Sequence, residues 1–185
     1  MGTPSPFIAE WRSWYEGKAP VLQFALKFCA FLLLFSLLSL VPIYQRTVSA
    51  LVIEDAKLSS AILNRMGEGS HVSEGTISSA QFAITVLPMC SAVEYLWFFC
   101  SLILAFPARY NRKISGILIG VILLLSLNLF RILSLYYIRV HYARFFDTIH
   151  GDLWGIVLVL ATVCLSAAWI GWAMQDDRLE ANVEA

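Results

Sequence analysis

Charge is scarce in this chain. Of its 185 residues, 14% are charged, acids and bases number 13 each, and the formal net charge is zero. A chain with no excess of either sign has no electrostatic footprint for nucleic acid or for bulk capture of a charged substrate. Paired cysteines are missing too. Four cysteines occur, but none form a CxxC pair and no Cys/His spacing suggests zinc. Cys29, Cys100 and Cys164 lie inside apolar runs and read as small packing residues. A disulfide-forming membrane oxidoreductase needs a cycling pair of outward cysteines, which one such cysteine cannot supply. Haem is equally ill served, because His141 and His150 share one short segment instead of facing each other across helices. No internal repeat or low-complexity tract is visible.

Apolar residues fill the space that charge leaves. They make up 59% of the chain, and the mean hydropathy is +0.72. This composition predicts an all-α integral membrane protein, one small domain with about four transmembrane helices and a small outer-side segment between spans one and two. The spans are read at about residues 21–44, 91–107, 114–138 and 153–174, the second of them short. Phe7, Trp11, Trp14 and Tyr15 recur at helical spacing, so residues 1–20 read as an interfacial amphipathic N-terminus. The first apolar run is too long for a signal-peptide core and is expected to be a retained anchor. A non-membrane segment, 45–89, follows, then a three-helix membrane core at 90–174 and a tail at 175–185. Trp169 and Trp172 suit an aromatic belt.

Basic residues set the expected orientation. The loop between spans two and three carries Arg109, Arg112 and Lys113 and no acid, a cytoplasmic signature. Both termini then lie inside, with 45–89 and 139–152 outside. Within the first outer segment, Leu51 to Met66 has helical apolar spacing, Met66 to Ser70 is a breaker cluster, and His71 to Leu87 alternates weakly as a strand or hairpin would.

Polar residues inside such a chain are informative because they are costly. Arg131 interrupts the run Ile117 to Ile138, where a mid-bilayer arginine costs at least about 2.5–3.5 kcal/mol. Counted from Ile138, it lies near 10 Å deep at about 1.5 Å per residue, within snorkelling reach of the surface. Asn128 is three residues earlier, on the same helix face. Cys90 opens the second span after Pro88, and His150 precedes the fourth. Three segments thus bring a thiol, a guanidinium and an imidazole to one boundary of the membrane. A cation or a helix N-terminus lowers a thiol's pKa and produces the nucleophilic thiolate. The guanidinium suits an oxyanion, and the imidazole suits proton transfer. The competing reading is structural: Arg131 paired with Glu94, one turn from Cys90, in a non-catalytic membrane assembly factor.

The segments Pro88-Met89-Cys90-Ser91-Ala92, Asn128-Leu129-Phe130-Arg131-Ile132 and His150-Gly151-Asp152-Leu153-Trp154-Gly155 resemble those of the exosortase/archaeosortase family over about residues 72–160. The short chain looks like the compact exosortase H type. The resemblance implies a membrane cysteine protease or transpeptidase, with Cys90 as nucleophile and Arg131 and His150 as its catalytic partners. Asn128 and Glu94 are supporting or substrate-binding candidates. It implies no cofactor and no metal. The partners it implies are the lipid bilayer and substrate proteins with a C-terminal sorting signal: a short motif, a transmembrane helix and a basic cluster. The location it implies is a bacterial inner membrane, with the site facing the periplasm. Ala92 departs from the glycine that many members carry, and His141 is a second candidate for the histidine.

Overall fold

The structure, a computed structural model, describes the backbone of residues 6–79, 83–86 and 91–183 and the side chains of those within 19–175. Helix α1 runs unbroken from Pro6 to Leu38, so the aromatic N-terminal segment and the first apolar run are continuous, with Pro20 inside. The helix stops short of the Tyr44 boundary read from hydropathy. A turn over 39–41 intervenes, and Pro42 opens α2, Pro42–Arg65. Proline suits a helix's first positions, where its missing N–H forfeits no bond.

Helix α2 is longer than the expected Leu51–Met66 element and carries one buried stripe, Val48, Val52, Ala56, Ser59, Ser60 and Leu63. The spacing of three or four residues is that of one helix face. Its end is tied to the sheet that follows: Asn64 Nδ2 donates to the Ser70 carbonyl at 2.7 Å, and the Ser60 and Ser70 hydroxyls share a bond of 2.8 Å. Strands β1 (His71–Ser73), β2 (Thr76–Ser78) and β3 (Ala83–Thr85) form an antiparallel sheet in that order. The weak alternation in His71 to Leu87 is thus a hairpin plus a third strand. The two residues of the first turn, Glu74 and Gly75, both have positive φ, 48° and 81°. That is the type I′ geometry that matches strand twist.

Helix α3 (Val93–Ala105) is followed by α4 (Tyr110–His141), a three-residue 3₁₀ turn at Ala143–Phe145, the short α5 (Phe146–Thr148), a π-helical turn at Ile149–Leu153, and α6 (Trp154–Val183). Among the described residues, three helical stretches are long and apolar enough to cross a membrane: 19–38, 110–141 and 143–175. The fourth, α3, has 13 residues. At about 1.5 Å per residue it falls short of the roughly 30 Å hydrocarbon core. It packs against α1, α4 and α6. Two glycines of α4 permit this: a Cβ on Gly120 would overlap the Phe99 ring of α3, and one on Gly116 would overlap the Trp169 indole of α6. Small residues four apart are a common device for close approach of membrane helices.

Two cores result, with different physics. In the bundle, Phe99, Ile103, Leu124, Trp169 and Ala173 pack among themselves, where lipid tails are as apolar as the side chains and shape complementarity drives association. Beyond it, Val52, Ala56, Leu63, Ile77 and Val86 pack against Ile132 and Tyr136, the far turns of α4. Here α2 and the sheet are joined by water-driven burial, about 1.5–3 kcal/mol for each large side chain fully buried. Tyr136 also donates its hydroxyl to Glu68 at 3.2 Å. Helix α4 is thus a membrane span whose last turns are the pillar of a small α/β cap.

At the opposite end, the buried Arg112 side chain donates from Nη1 to the Ala173 carbonyl at 2.8 Å, and Trp169 Nε1 donates to the Arg112 carbonyl at 3.2 Å. Lys113 Nζ donates to the Leu104 carbonyl at 2.8 Å, at the end of α3. Nineteen residues separate Arg112 from Arg131, about 28 Å along a helix. That is close to the hydrocarbon thickness. Arg131 thus lies toward the end of α4 on which the cap is built.

Candidate active site

A cavity of about 300 Å³ opens between the cap and the bundle, at the cap end of α4. Arg131, Ile132, Leu135 and Arg139 of α4 form one wall, the chain from Ala83 to Val86 a second, and Phe146, Asp147 and His150 a third. Arg131, Leu135 and Arg139 are four residues apart, so one helix face delivers all three. Two of the expected site residues, Arg131 and His150, therefore meet in one cavity. His141 is exposed and does not line it.

Local structure fixes the imidazole. His150 sits in the π-helical turn Ile149–Leu153, an irregularity often found at functional positions. Its ring stacks on Phe146, centroids 5.4 Å apart and planes 9° apart. The Arg139 guanidinium lies 5.3 Å from the same Phe146 centroid. The next helix is anchored beside Arg131 by an edge-to-face contact between Trp154 and Phe130, 5.8 Å between centroids. His150 precedes the apolar stretch that begins at Trp154. Arg131 and Asp147 line the same cavity as the imidazole.

Beneath the cavity, α4 holds a second polar layer. Arg131 is 6% exposed and Asn128 is fully buried. Asn128 Nδ2 donates to Asp55 Oδ2 of α2 at 3.2 Å. Two neighbouring atoms, Arg131 Nε and Asn128 Oδ1, are buried without a hydrogen-bond partner among the described residues. One is a donor and the other an acceptor, one turn apart. Buried polar atoms are satisfied in nearly all native positions, and exceptions mark strain or function.

Glu94 is elsewhere. It lines a separate hollow with Phe35, Tyr44, Gln45 and Ser91, and no ion pair joins it to Arg131 among the described residues. The structural Arg131–Glu94 pair is therefore not formed: the two side chains face different hollows. Cys90, with Pro88 and Met89, lies outside the described residues. Val86, four residues before it, lines the cavity, and Ser91, the next, is buried. Ala92 is buried as well.

Asp55, Arg139, Phe146 and Asp147 were not singled out from the sequence. Arg139 and Asp147 had a signal, since they repeat the helical spacing of Arg131 and His150. Asp55 had none, being 73 residues from the asparagine it meets.

Among known proteins, a family model described as transmembrane exosortase matches residues 6–169. No curated protein and no solved structure matches the chain.

Proposed function

Because the chain belongs to the transmembrane exosortase family, whose members are membrane transpeptidases acting on sorting-signal proteins, we propose that it is a cysteine transpeptidase or endopeptidase working through a thioester. Cys90 is the nucleophile, Arg131 the electrostatic partner and His150 the acid–base group. The observation that carries this reading is the shared cavity of Arg131 and His150, with a wall that ends four residues before Cys90. The His150 imidazole takes the Cys90 proton, and Arg131 stabilises the thiolate. The sulfur attacks the carbonyl carbon beside the substrate's transmembrane helix, and the oxyanion that forms is held by Arg131. As the C–N bond breaks, His150 returns the proton to the leaving amine, and the thioester remains. An amine or water then gives its proton to His150 and attacks the thioester, and Cys90 leaves as thiolate.

The basic cluster Arg109, Arg112 and Lys113 lies at the end of the bundle opposite the cap. We therefore assign that end, with both termini, to the cytoplasm and the cap to the periplasm of a bacterial inner membrane. Residues 1–20 then approach the inner interface. A membrane-impermeant maleimide on intact cells tests both assignments. Cys90 is expected to label quickly at neutral pH, and markedly more slowly in Arg131→Ala. Slow labelling, indifferent to Arg131→Ala and His150→Ala, would count against an activated outer thiol.

A further inference from the structure

The cavity meets Ala83, Ile84, Thr85 and Val86 in succession. Side chains of successive strand residues point to opposite faces of a sheet. A cavity lying on a face would therefore meet every second residue. One that meets four in a row runs along the strand's edge. The sheet order β1-β2-β3 leaves β3 a single neighbour among the described residues.

The register shows which backbone groups this edge presents. Val86 N–H donates to the Gly75 carbonyl at 3.0 Å, in the same register that aligns Ile77 with Ile84 and Thr76 with Thr85. Bonded and non-bonded pairs alternate along an antiparallel ladder. Ile84 and Val86 therefore turn their N–H and C=O groups toward β2, and Ala83 and Thr85 turn theirs away, along the cavity. Natural edges are commonly blunted by lysine, proline or a covering element. The described strand Ala83-Ile84-Thr85 carries no charge and no proline, and is limited only by its length.

We propose that this edge is a docking strand for substrate, and the inference rests on the transpeptidase reading above. The residues of the sorting signal that precede its membrane helix lie extended along β3 as a fourth strand, bonded to Ala83 and Thr85. Strand addition of this kind binds a peptide through its main chain and leaves alternate side chains to be read by pockets. The occupant follows from the site's position and charge. A substrate chain leaving the bilayer here has just ended its own helical ladder, and its next amides and carbonyls need partners. Among the described lining residues, Arg131 and Arg139 against Asp147 give the cavity a positive wall, complementary to carbonyl oxygens laid along it. Extended pairing with β3 would also hold the scissile carbonyl between Arg131 and His150.

The test places a single cysteine on the edge. Thr85→Cys is introduced into a chain in which Cys29, Cys90, Cys100 and Cys164 are alanine. This chain is co-produced with a membrane reporter that ends in a sorting signal from the same genome. A cysteine is walked through the ten or so residues before the reporter's helix, and disulfides are formed with copper phenanthroline. The expected result is one strong cross-link with weaker ones two residues either side, and intervening positions at least about fivefold lower, as directly opposed strand pairs require. Equal cross-linking at consecutive positions, or none, while the wild-type chain cuts the same reporter, would overturn the docking strand. So would a Thr85→Cys homodimer in its place, which would mean that a second copy covers the edge. An alternating pattern with a reporter that wild type leaves uncut would keep the docking strand and remove the transpeptidase reading.

Discussion

Cys90→Ala is expected to leave a sorting-signal reporter uncut, with turnover at least about 10⁴-fold below wild type. The reasoning is chemical. Without sulfur there is no thioester, and water at neutral pH is too weak a nucleophile to replace it on an unactivated amide. The electrostatic groups left behind, Arg131 and His150, would still surround the bound carbonyl, so the variant should retain the reporter while failing to cut it. Alanine at the other three cysteines provides the contrast. Cys29 and Cys164 are exposed on apolar helices and Cys100 is half-buried. Cys100 packs against the Phe99 and Leu124 cluster of the bundle. None of them lines the Arg131–His150 cavity, so their replacement should leave turnover within about twofold, with Cys100→Ala costing some stability as a small cavity. Cleavage is read as conversion of the full-length reporter on immunoblots at matched chain levels. Normal cutting by Cys90→Ala would remove the nucleophile and leave a non-catalytic membrane factor as the better reading.

The residues that the sequence revealed share one property: they are expensive where they stand. Arg131 and Asn128 interrupt an apolar run and so announce themselves, and the structure buries both. The same logic gave the long helices, because hydrocarbon thickness sets their length. The second apolar run was already short in the sequence, and its helix α3 is shorter still, 13 residues. That logic failed at the junction of α1 and α2, where apolar residues continue across a turn and only Pro42 marks the new helix. The cap was less legible still. Its strands have three residues each, too few for alternation to stand out. What joins it to the bundle is long-range: Asp55 with Asn128, Tyr136 with Glu68, Ile77 and Val86 with Ile132. No spacing in the sequence encodes those meetings. They arise because the end of α4 leaves the apolar slab with its apolar side chains uncovered, and α2 and the sheet are the nearest surfaces to cover them. The cavity is a consequence of that joint. Its walls come from three segments whose sequence neighbours give no hint that they will meet.

Arg131→Gln is expected to lower turnover by about 10²–10³, the usual cost of losing one preorganised oxyanion donor, and to keep or raise thermal stability. The second half separates catalysis from structure. Arg131 is almost wholly buried, and among the described residues it has no ion pair and an unpartnered Nε. A buried charge without a counter-ion weighs against the fold. Glutamine removes the charge, keeps a polar head and offers an N–H donor near the unpartnered Asn128 Oδ1, so the resting protein loses little. What is lost is the partner for negative charge that appears only during reaction, on sulfur and then on the carbonyl oxygen. Turnover should therefore fall with little change in KM, since an interaction made only in the transition state leaves ground-state binding untouched. Lysine should rescue only in part, because a compact ammonium cannot reproduce the planar fork that serves two acceptors at once. A purely structural arginine predicts the reverse: a lower melting temperature in detergent for Arg131→Gln, rescue by lysine, and loss of cleavage no greater than the loss of folded protein. Melting and single-turnover cleavage measured on the same three proteins decide between the two, because only a transition-state partner can be removed with gain of stability and loss of rate together.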